Sequence, residues 1–183
     1  MLSNIDDNRL KLQLVWCPPG SFRMGSPLDE TGRQGDEDQV DVTLTHGFWL
    51  GRTEVTQEQW KRVMKSEPWT KIVRGPGVKS ELRAGDEFPA GGISWLAARE
   101  FCRRMTETGH ATGRLSSDLV YRLPTEAEWC YAASAKRVGQ AKRVDDYAWY
   151  SRNSKRQAQP AGKKLPNSWG IQDLYGNLNE WCL

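Results

Sequence analysis

With 183 residues and a net charge of +3, the chain has the size of one domain and too little excess charge to indicate a nucleic-acid partner. Charged residues make up 27% of the chain and its mean hydropathy is -0.71, which excludes a protein built of membrane spans. Four scattered cysteines without a CxxC and only two histidines exclude zinc knuckles, thioredoxin-like motifs and three-histidine metal sites.

The N-terminal part of the chain carries the strand patterns. Residues 1–16 lack the basic stretch and apolar run of a signal peptide, so we expect a cytoplasmic protein by default. Residues 12–26 predict a strand, a Pro-Pro-Gly turn and a second short strand. Further on, Val40, Val42 and Leu44 alternate with other residues and share one face of a predicted strand.

Three helices follow, and each has a start signal. The predicted N-cap residues are Thr56, Ser94 and Thr125. Gln59 and Glu128 stand three residues after their N-caps, which predicts capping boxes for the first and third helices. Gly109 predicts the end of the second helix, since glycine is favoured just after a helix. The apolar positions predict a core that contains Trp60, Trp95, Phe101, Leu123 and Trp129.

Loops occupy most of the remaining chain. Residues 66–92 and 145–177 are rich in Gly and Pro and show no hydrophobic period. We find no internal repeat and no second hydrophobic block, so residues 1–183 are interpreted as a single α+β domain with low strand content. The predicted strands lack enough partners for a stable sheet of their own.

Charge is unevenly distributed between two of these loops. Residues 28–41 are acidic and residues 136–164 are basic. Solvated loops explain both runs, and the alternative is an anionic partner for the basic one. Neither nucleic acid nor a membrane is expected as a partner.

Six phrases, read in chain order, resemble one known family. They are GSFRMGS (20–26), FWLGRTEVTQEQW (48–60), FPAGGISWLAAREFC (88–102), YRLPTEAEWCYAA (121–133), AWYSRNS (148–154) and PNSWGIQDLYGNLNEW (166–181). From about residue 12 onward the chain resembles the formylglycine-generating enzyme family, also called the sulfatase-modifying factor family. The resemblance implies a compact, loop-rich α+β fold similar to a C-type lectin.

In enzyme members, the resemblance implies copper chemistry. Two cysteines of a C-terminal module bind Cu(I), and oxygen then converts a cysteine in a Cys-x-Pro-x-Arg segment of an unfolded sulfatase to formylglycine. Thiolates suit Cu(I) because both are soft. In the family this module follows the GNxxEW phrase. We therefore expect the chain to be an N-terminal piece of such a domain, or a truncated relative, with no catalytic residue and no bound copper.

The cysteines of this chain occupy other positions. Cys17, Cys102, Cys130 and Cys182 are interpreted as small apolar residues of the interior. The resemblance matches Cys102 to a position that pairs with a C-terminal cysteine in some members. It gives Cys17 no role.

Calcium is the metal that the resemblance implies for this part of the domain. The corresponding ligands are the side chain of Asp173, the carbonyls of Gly176 and Leu178, and the side chain of Glu180. A hard cation prefers oxygen ligands, and a tight Gly-Asn turn aims carbonyls inward. The alternative is an ordinary turn with an exposed Asp and a hydrogen-bonded Glu. A second family site would use Asn153 and Ser154.

Two functions from different classes remain open at this point. One is the oxidase, represented by its N-terminal two-thirds. The other is a non-catalytic, lectin-like module that displays loops for an unfolded sulfatase peptide or another protein ligand. Related iron-dependent sulfoxide synthases require a histidine cluster, which His46 and His110 alone do not supply.

Overall fold

The computed structural model describes residues 2–3, 10–70, 82–135 and 143–183. Its strands, in chain order, are β1 (Leu2–Ser3), β2 (Leu14–Cys17), β3 (Gly20–Met24), β4 (Val40–Leu44) and β5 (Phe48–Gly51). They form two antiparallel sheets, one of three strands in the order β1-β2-β5 and one of two strands, β3 and β4. This low strand content agrees with the α+β expectation.

The Pro-Pro-Gly turn joins two strands, as predicted, but these strands belong to different sheets. Strand β2 pairs with β5, where Trp16 lies opposite Trp49 with ring centroids 5.2 Å apart. Strand β3 pairs instead with β4, and Phe22 lies opposite Val42. Strands β2 and β3 therefore each pair with a strand that lies further along the chain.

The helices are α1 (Gln57–Met64), α2 (Trp95–Ala111), α3 (Glu126–Ser134) and the short α4 (Val144–Tyr147), with a 3-10 turn at Pro68–Thr70. The three predicted N-caps are confirmed, because Thr56, Ser94 and Thr125 each accept a hydrogen bond from the backbone three residues on. Both predicted capping boxes are present.

The predicted end of α2 falls too early, because Gly109 was expected just after the helix and lies within it. The helix continues through Gly109 to Ala111, and the left-handed turn falls at Gly113, where φ is +66°. Gly109 has a packing role instead, because a Cβ there would lie 2.8 Å from the Cβ of Leu115. Its carbonyl also accepts hydrogen bonds from the amides of Arg114 and Leu115.

Glu128 does more than cap α3. Its two carboxylate oxygens accept hydrogen bonds from the Arg122 guanidinium, both at 2.6 Å. One of them also accepts from the Thr125 amide at 2.8 Å. The bonds to Arg122 lower the pKa of Glu128. A bidentate ion pair thus fixes the chain that enters α3 and explains Glu128 without a catalytic role.

Two apolar clusters form the core of the described residues. The first contains Leu10, Trp60, Trp69, Phe101 and Met105. The second contains Val15, Cys17, Ala132, Ile171 and Leu174. Burial is confirmed for Trp60 and Phe101, whose rings stack with centroids 5.4 Å apart.

The other three predicted core residues, Trp95, Leu123 and Trp129, are only half-buried. Trp95 donates its indole N–H to the Cys182 carbonyl at 2.8 Å, so the N–H edge of the ring contacts the backbone of residue 182. An amphipathic ring commonly occupies such a boundary position.

Two parts of the predicted loops, residues 71–81 and 136–142, lie outside the described residues. The second includes the first three cations of the basic run, Lys136, Arg137 and Lys142. Among the helices that the structure does describe, none has the length and apolar character needed to cross a membrane.

Candidate metal centre

Asp173 is a buried carboxylate with one unused oxygen. Only 3% of the residue is exposed. Its Oδ2 accepts a hydrogen bond from the Gly162 amide at 2.6 Å, whereas its Oδ1 is buried without a partner. Leaving a buried acceptor unpaired costs about 1–3 kcal/mol, and more for a charged group. Such an oxygen calls for a ligand from outside the chain.

The turn after Asp173 is shaped by positive φ angles and by Trp149. Gly176 and Asn177 have φ values of +119° and +67°. The Asn177 amide donates to the Trp149 carbonyl at 3.0 Å, and Gly176 forms an isolated bridge with Trp149. A Cβ at residue 176 would overlap that carbonyl oxygen. Glycine is therefore required at this position.

Glu54 reaches this turn from the segment between β5 and α1. Its Oε2 accepts from the Asn177 side-chain amide at 2.6 Å, and its Oε1 accepts from the Leu178 backbone amide at 3.0 Å. The residue is 9% exposed. Its position brings a third carboxylate to the loop that contains Asp173 and Glu180.

Glu180 faces the indole of Trp129. The residue as a whole is exposed to solvent, but protein atoms surround its carboxyl group. The resulting desolvation is the main cause that raises the pKa of Glu180 to about 7. The negative charge of Asp173 raises this pKa further, and the Trp129 indole N–H lowers it. That N–H is buried and makes no hydrogen bond of normal geometry.

The three carboxylates repel one another in a partly dry environment. Desolvation, followed by the charges of Glu180 and Asp173, raises the pKa of Glu54 to about 9. Desolvation also raises the pKa of Asp173. Among the described residues no Lys or Arg forms a salt bridge with any of them. A bound divalent cation would supply the missing positive charge.

The donor set fits calcium by its chemistry. Asp173 and Glu180 supply carboxylate oxygens, and the turn between them places the carbonyls of Gly176 and Leu178 in the same short segment. In the described part of the chain, no three His, Cys, Asp or Glu side chains group as a metal site. The predicted site instead combines two such side chains with two main-chain oxygens.

The residues of the second predicted calcium site are occupied by protein contacts. Asn153 accepts from the Tyr150 amide at 2.9 Å and donates to Asp145 and to the Ala148 carbonyl. The Ser154 carbonyl accepts from the amide of Gln157 and the side chain of Gln159. The Asn153 side chain and the Ser154 carbonyl thus already have protein partners, and the second site stays a prediction.

The four cysteines are all free thiols in unfavourable surroundings for a thiolate. Burial raises the pKa of Cys17 to about 12 and that of Cys102 to about 11. Desolvation raises the pKa of Cys130, and desolvation followed by the nearby Glu180 raises that of Cys182 to about 11. Raised thiol pKa values disfavour Cu(I) ligation.

An open apolar groove of about 780 Å³ borders the turn at residues 176–178 and the carboxylates around it. Its walls include residues of β2 and β5, of the segment before α2 and of the segment after residue 178, among them Trp16, Phe48, Ile93 and Trp181. Glu54, Leu178 and Glu180 also line it. Trp181, which is 51% exposed, donates its indole N–H to the Ile93 carbonyl at 2.8 Å.

Comparison with protein families matches residues 5–183 to the sulfatase-modifying factor enzyme 1-like domain. The chain belongs to this family. The match confirms the resemblance carried by the six phrases. It also places the Asp173–Glu180 segment within a sulfatase-modifying factor domain.

Curated relatives of this sulfatase-modifying factor domain carry different names. The chaperone protein LppX of Paenibacillus barcinonensis is 30% identical, over 77% of this chain and 63% of its own length. The serine/threonine-protein kinase pkn1 of Chlamydia caviae is 26% identical, over 93% of this chain and 27% of its own length. The chain thus spans less than two thirds of these relatives.

Solved structures confirm the fold class. PvdO from Pseudomonas aeruginosa superposes with a TM-score of 0.74 at 24% identity, over all of this chain and 74% of that one. Treponema denticola variable protein 1 gives a TM-score of 0.70 at 26% identity, over 93% and 72% of the two chains. The family domain is therefore the loop-rich α+β fold expected from the sequence.

Glu54 is the residue of this centre that sequence patterns did not reveal. It stands 124 residues before Leu178, whose amide it binds. Its sequence neighbours show a strand end and a capping box, and neither pattern indicates a buried carboxylate. Only the three-dimensional contact with Asn177 and Leu178 assigns it to the turn.

Proposed function

We propose that this chain is a calcium-binding, non-catalytic scaffold domain of the sulfatase-modifying factor family. The observation that carries the proposal is the unpaired, buried Oδ1 of Asp173. It stands in a loop where Glu54 and Glu180 add charge without a salt-bridged cation among the described residues. Calcium would join the side chains of Asp173 and Glu180 to the carbonyls of Gly176 and Leu178.

The consequence of such binding is stabilisation of the C-terminal loops. Residues 149–180 contain little regular structure, so their order depends on side-chain and turn hydrogen bonds. An ion that binds only the folded state stabilises it by about 2.7 kcal/mol at a hundredfold excess over its dissociation constant. Calcium would thus stabilise the turn at residues 176–178, whose Leu178 also lines the groove.

Calorimetric titration of chelator-stripped protein tests this proposal. We expect one Ca²⁺ per chain and a raised melting temperature, because the ion offsets carboxylate repulsion. Asp173→Asn should weaken binding strongly, since it removes the charge next to the unused oxygen. Glu180→Gln should do the same.

Asp41→Asn is the matched control, because Asp41 is an exposed carboxylate on β4, opposite Arg23 in the two-stranded sheet. Its calcium affinity should equal that of the wild type. No heat of binding and no thermal shift in the wild type would reject calcium binding.

A second candidate function is the binding of an extended polypeptide segment in the apolar groove. Its specific support is the volume of the groove, about 780 Å³, and the exposure of Trp16 and Trp181 along it. The relative LppX is named a chaperone, a class that acts on other polypeptides. The substrate that the family resemblance implies, a segment of an unfolded sulfatase, is also an extended polypeptide.

One assay separates this binding role from the oxidase. A fluorescent Cys-x-Pro-x-Arg peptide is added with Cu(I) and oxygen, and both anisotropy and peptide mass are followed. We expect binding without conversion of cysteine to formylglycine, because the described thiols disfavour the thiolate. A Ser-x-Pro-x-Arg peptide should bind equally, and Trp181→Ala should weaken both.

Conversion above a protein-free control would restore the oxidase hypothesis. Absence of binding by either peptide would contradict the polypeptide-binding role. Neither outcome bears on calcium, which the calorimetric experiment measures independently.

A further inference from the structure

The carboxylate of Glu54 holds the turn between the two main-chain ligands of the calcium centre. It binds the side chain of Asn177 at 2.6 Å and the backbone amide of Leu178 at 3.0 Å. We propose that Glu54 is a positioning residue that sets the calcium affinity of this turn. This role rests on the proposed calcium function and concerns a residue outside the ligand set.

Two consecutive peptide planes are fixed on either side of Asn177. The Asn177 amide donates to the Trp149 carbonyl, and the Leu178 amide donates to Glu54. In a planar trans peptide the carbonyl points opposite to the N–H. The Gly176 carbonyl is therefore directed away from Trp149, and the chain enters Leu178 in a fixed orientation. Loss of the Glu54 bond frees the second plane.

Asn177 suits this arrangement in both backbone and side chain. Its φ of +67° lies in the left-handed region, which Asn tolerates better than most residues. Its side chain also donates to the Gln159 carbonyl at 3.1 Å and accepts from the Gln159 amide at 2.9 Å. Glu54 thereby holds one corner of a network that joins three separate chain segments.

A carboxylate suits this position because it accepts from two N–H donors at once. Its Oε2 accepts from the Asn177 side chain and its Oε1 accepts from the Leu178 amide. The residue is buried, and among the described residues it has no salt bridge with a cationic side chain. A Gln side chain has a single acceptor oxygen and would turn its NH₂ group toward one of these donors. Glu54→Gln therefore breaks one of the two bonds with little change in side-chain size.

Glu54→Gln tests this role by terbium luminescence, in which Tb³⁺ replaces Ca²⁺ and nearby indoles sensitise its emission. Displacement of Tb³⁺ by Ca²⁺ then reports the calcium affinity. We expect Glu54→Gln to weaken calcium binding by about 10–100-fold, the usual effect of removing a partner of a metal ligand. The wild-type emission spectrum should persist at saturation.

A control variant separates positioning from general destabilisation. Gln57 is buried and holds a different loop, donating to the Pro89 carbonyl and accepting from the Gly85 amide. Gln57→Ala should lower the melting temperature but leave the calcium affinity within twofold of the wild type. Asn177→Gly keeps the positive φ and removes the side-chain contacts with both Glu54 and Gln159, so it measures what the whole network contributes to calcium binding.

The outcomes are distinct. Weaker binding in Glu54→Gln, with Gln57→Ala unchanged, supports the positioning role. Wild-type affinity in Glu54→Gln overturns that role and leaves the calcium function standing. Equal weakening in Gln57→Ala also overturns it, since general destabilisation would then explain the effect. Failure of the wild type to bind either ion overturns the calcium function and this role together.

Discussion

Trp60→Ala is expected to lower the free energy of unfolding by about 3–5 kcal/mol, the usual loss when a buried aromatic side chain is removed. Trp60 is 3% exposed, stacks on Phe101 and donates its indole N–H to the Ser66 hydroxyl at 3.1 Å. The substitution leaves a cavity in the first apolar cluster. Urea unfolding monitored by circular dichroism measures the change.

Trp16→Ala provides the comparison for this large effect. Trp16 is 38% exposed and contacts Trp49 on the sheet, so its removal exposes less of the interior. We expect a clearly smaller loss of stability. Equal losses in the two variants would contradict the placement of the core around Trp60.

Gly176→Ala is expected to destabilise the protein and to abolish calcium binding. The backbone at this position has a φ of +119°, which costs a residue with a side chain about 1–3 kcal/mol. The new Cβ would also overlap the Trp149 carbonyl oxygen, so the backbone must move. That movement displaces the Gly176 carbonyl, a proposed calcium ligand. Thermal unfolding and calcium titration report the two effects.

Gly170→Ala isolates the backbone strain from the overlap. Gly170 also has a positive φ, +95°, but no atom outside its chain neighbours lies within 4 Å of a Cβ built there. It should lose only the strain energy and retain calcium binding. If Gly176→Ala behaved like Gly170→Ala in both measurements, the close approach to Trp149 would be disproved.

Local patterns predicted the helices of this domain well. Thr56 and Thr125 cap their helices as expected, because a capping box depends on residues only three apart. The end of α2 was predicted wrongly. Gly109 satisfies a helix-end pattern, but its missing side chain leaves room for Leu115 to pack against the helix. Tertiary packing decided between the two uses of that glycine.

Strand pairing depended on contacts that no local pattern contains. Residues 14–17 and 20–24 alternate like the arms of a hairpin, yet they join different sheets. The partner of β2 is β5, which begins more than thirty residues after β2 ends. Such pairing follows from the whole fold rather than from the turn between the strands.

The candidate site also combines features that the sequence predicts with features that only the structure shows. Asp173, Gly176, Leu178 and Glu180 were predicted together because family resemblance ties them to one short segment. The unused Oδ1 of Asp173 and the approach of Glu54 became visible only in the structure. Burial decides whether a carboxylate needs a cation, and an isolated sequence segment does not contain that information.

The most direct test of the calcium assignment is anomalous diffraction from crystals of the protein grown with Ca²⁺ or Tb³⁺. We expect an anomalous peak in the loop between Asp173 and Glu180, with oxygen ligands about 2.3–2.6 Å away. The Oδ1 of Asp173 should be one of those ligands. A well-ordered loop with saturating ion, no anomalous peak and a water or protein donor on Oδ1 would contradict it.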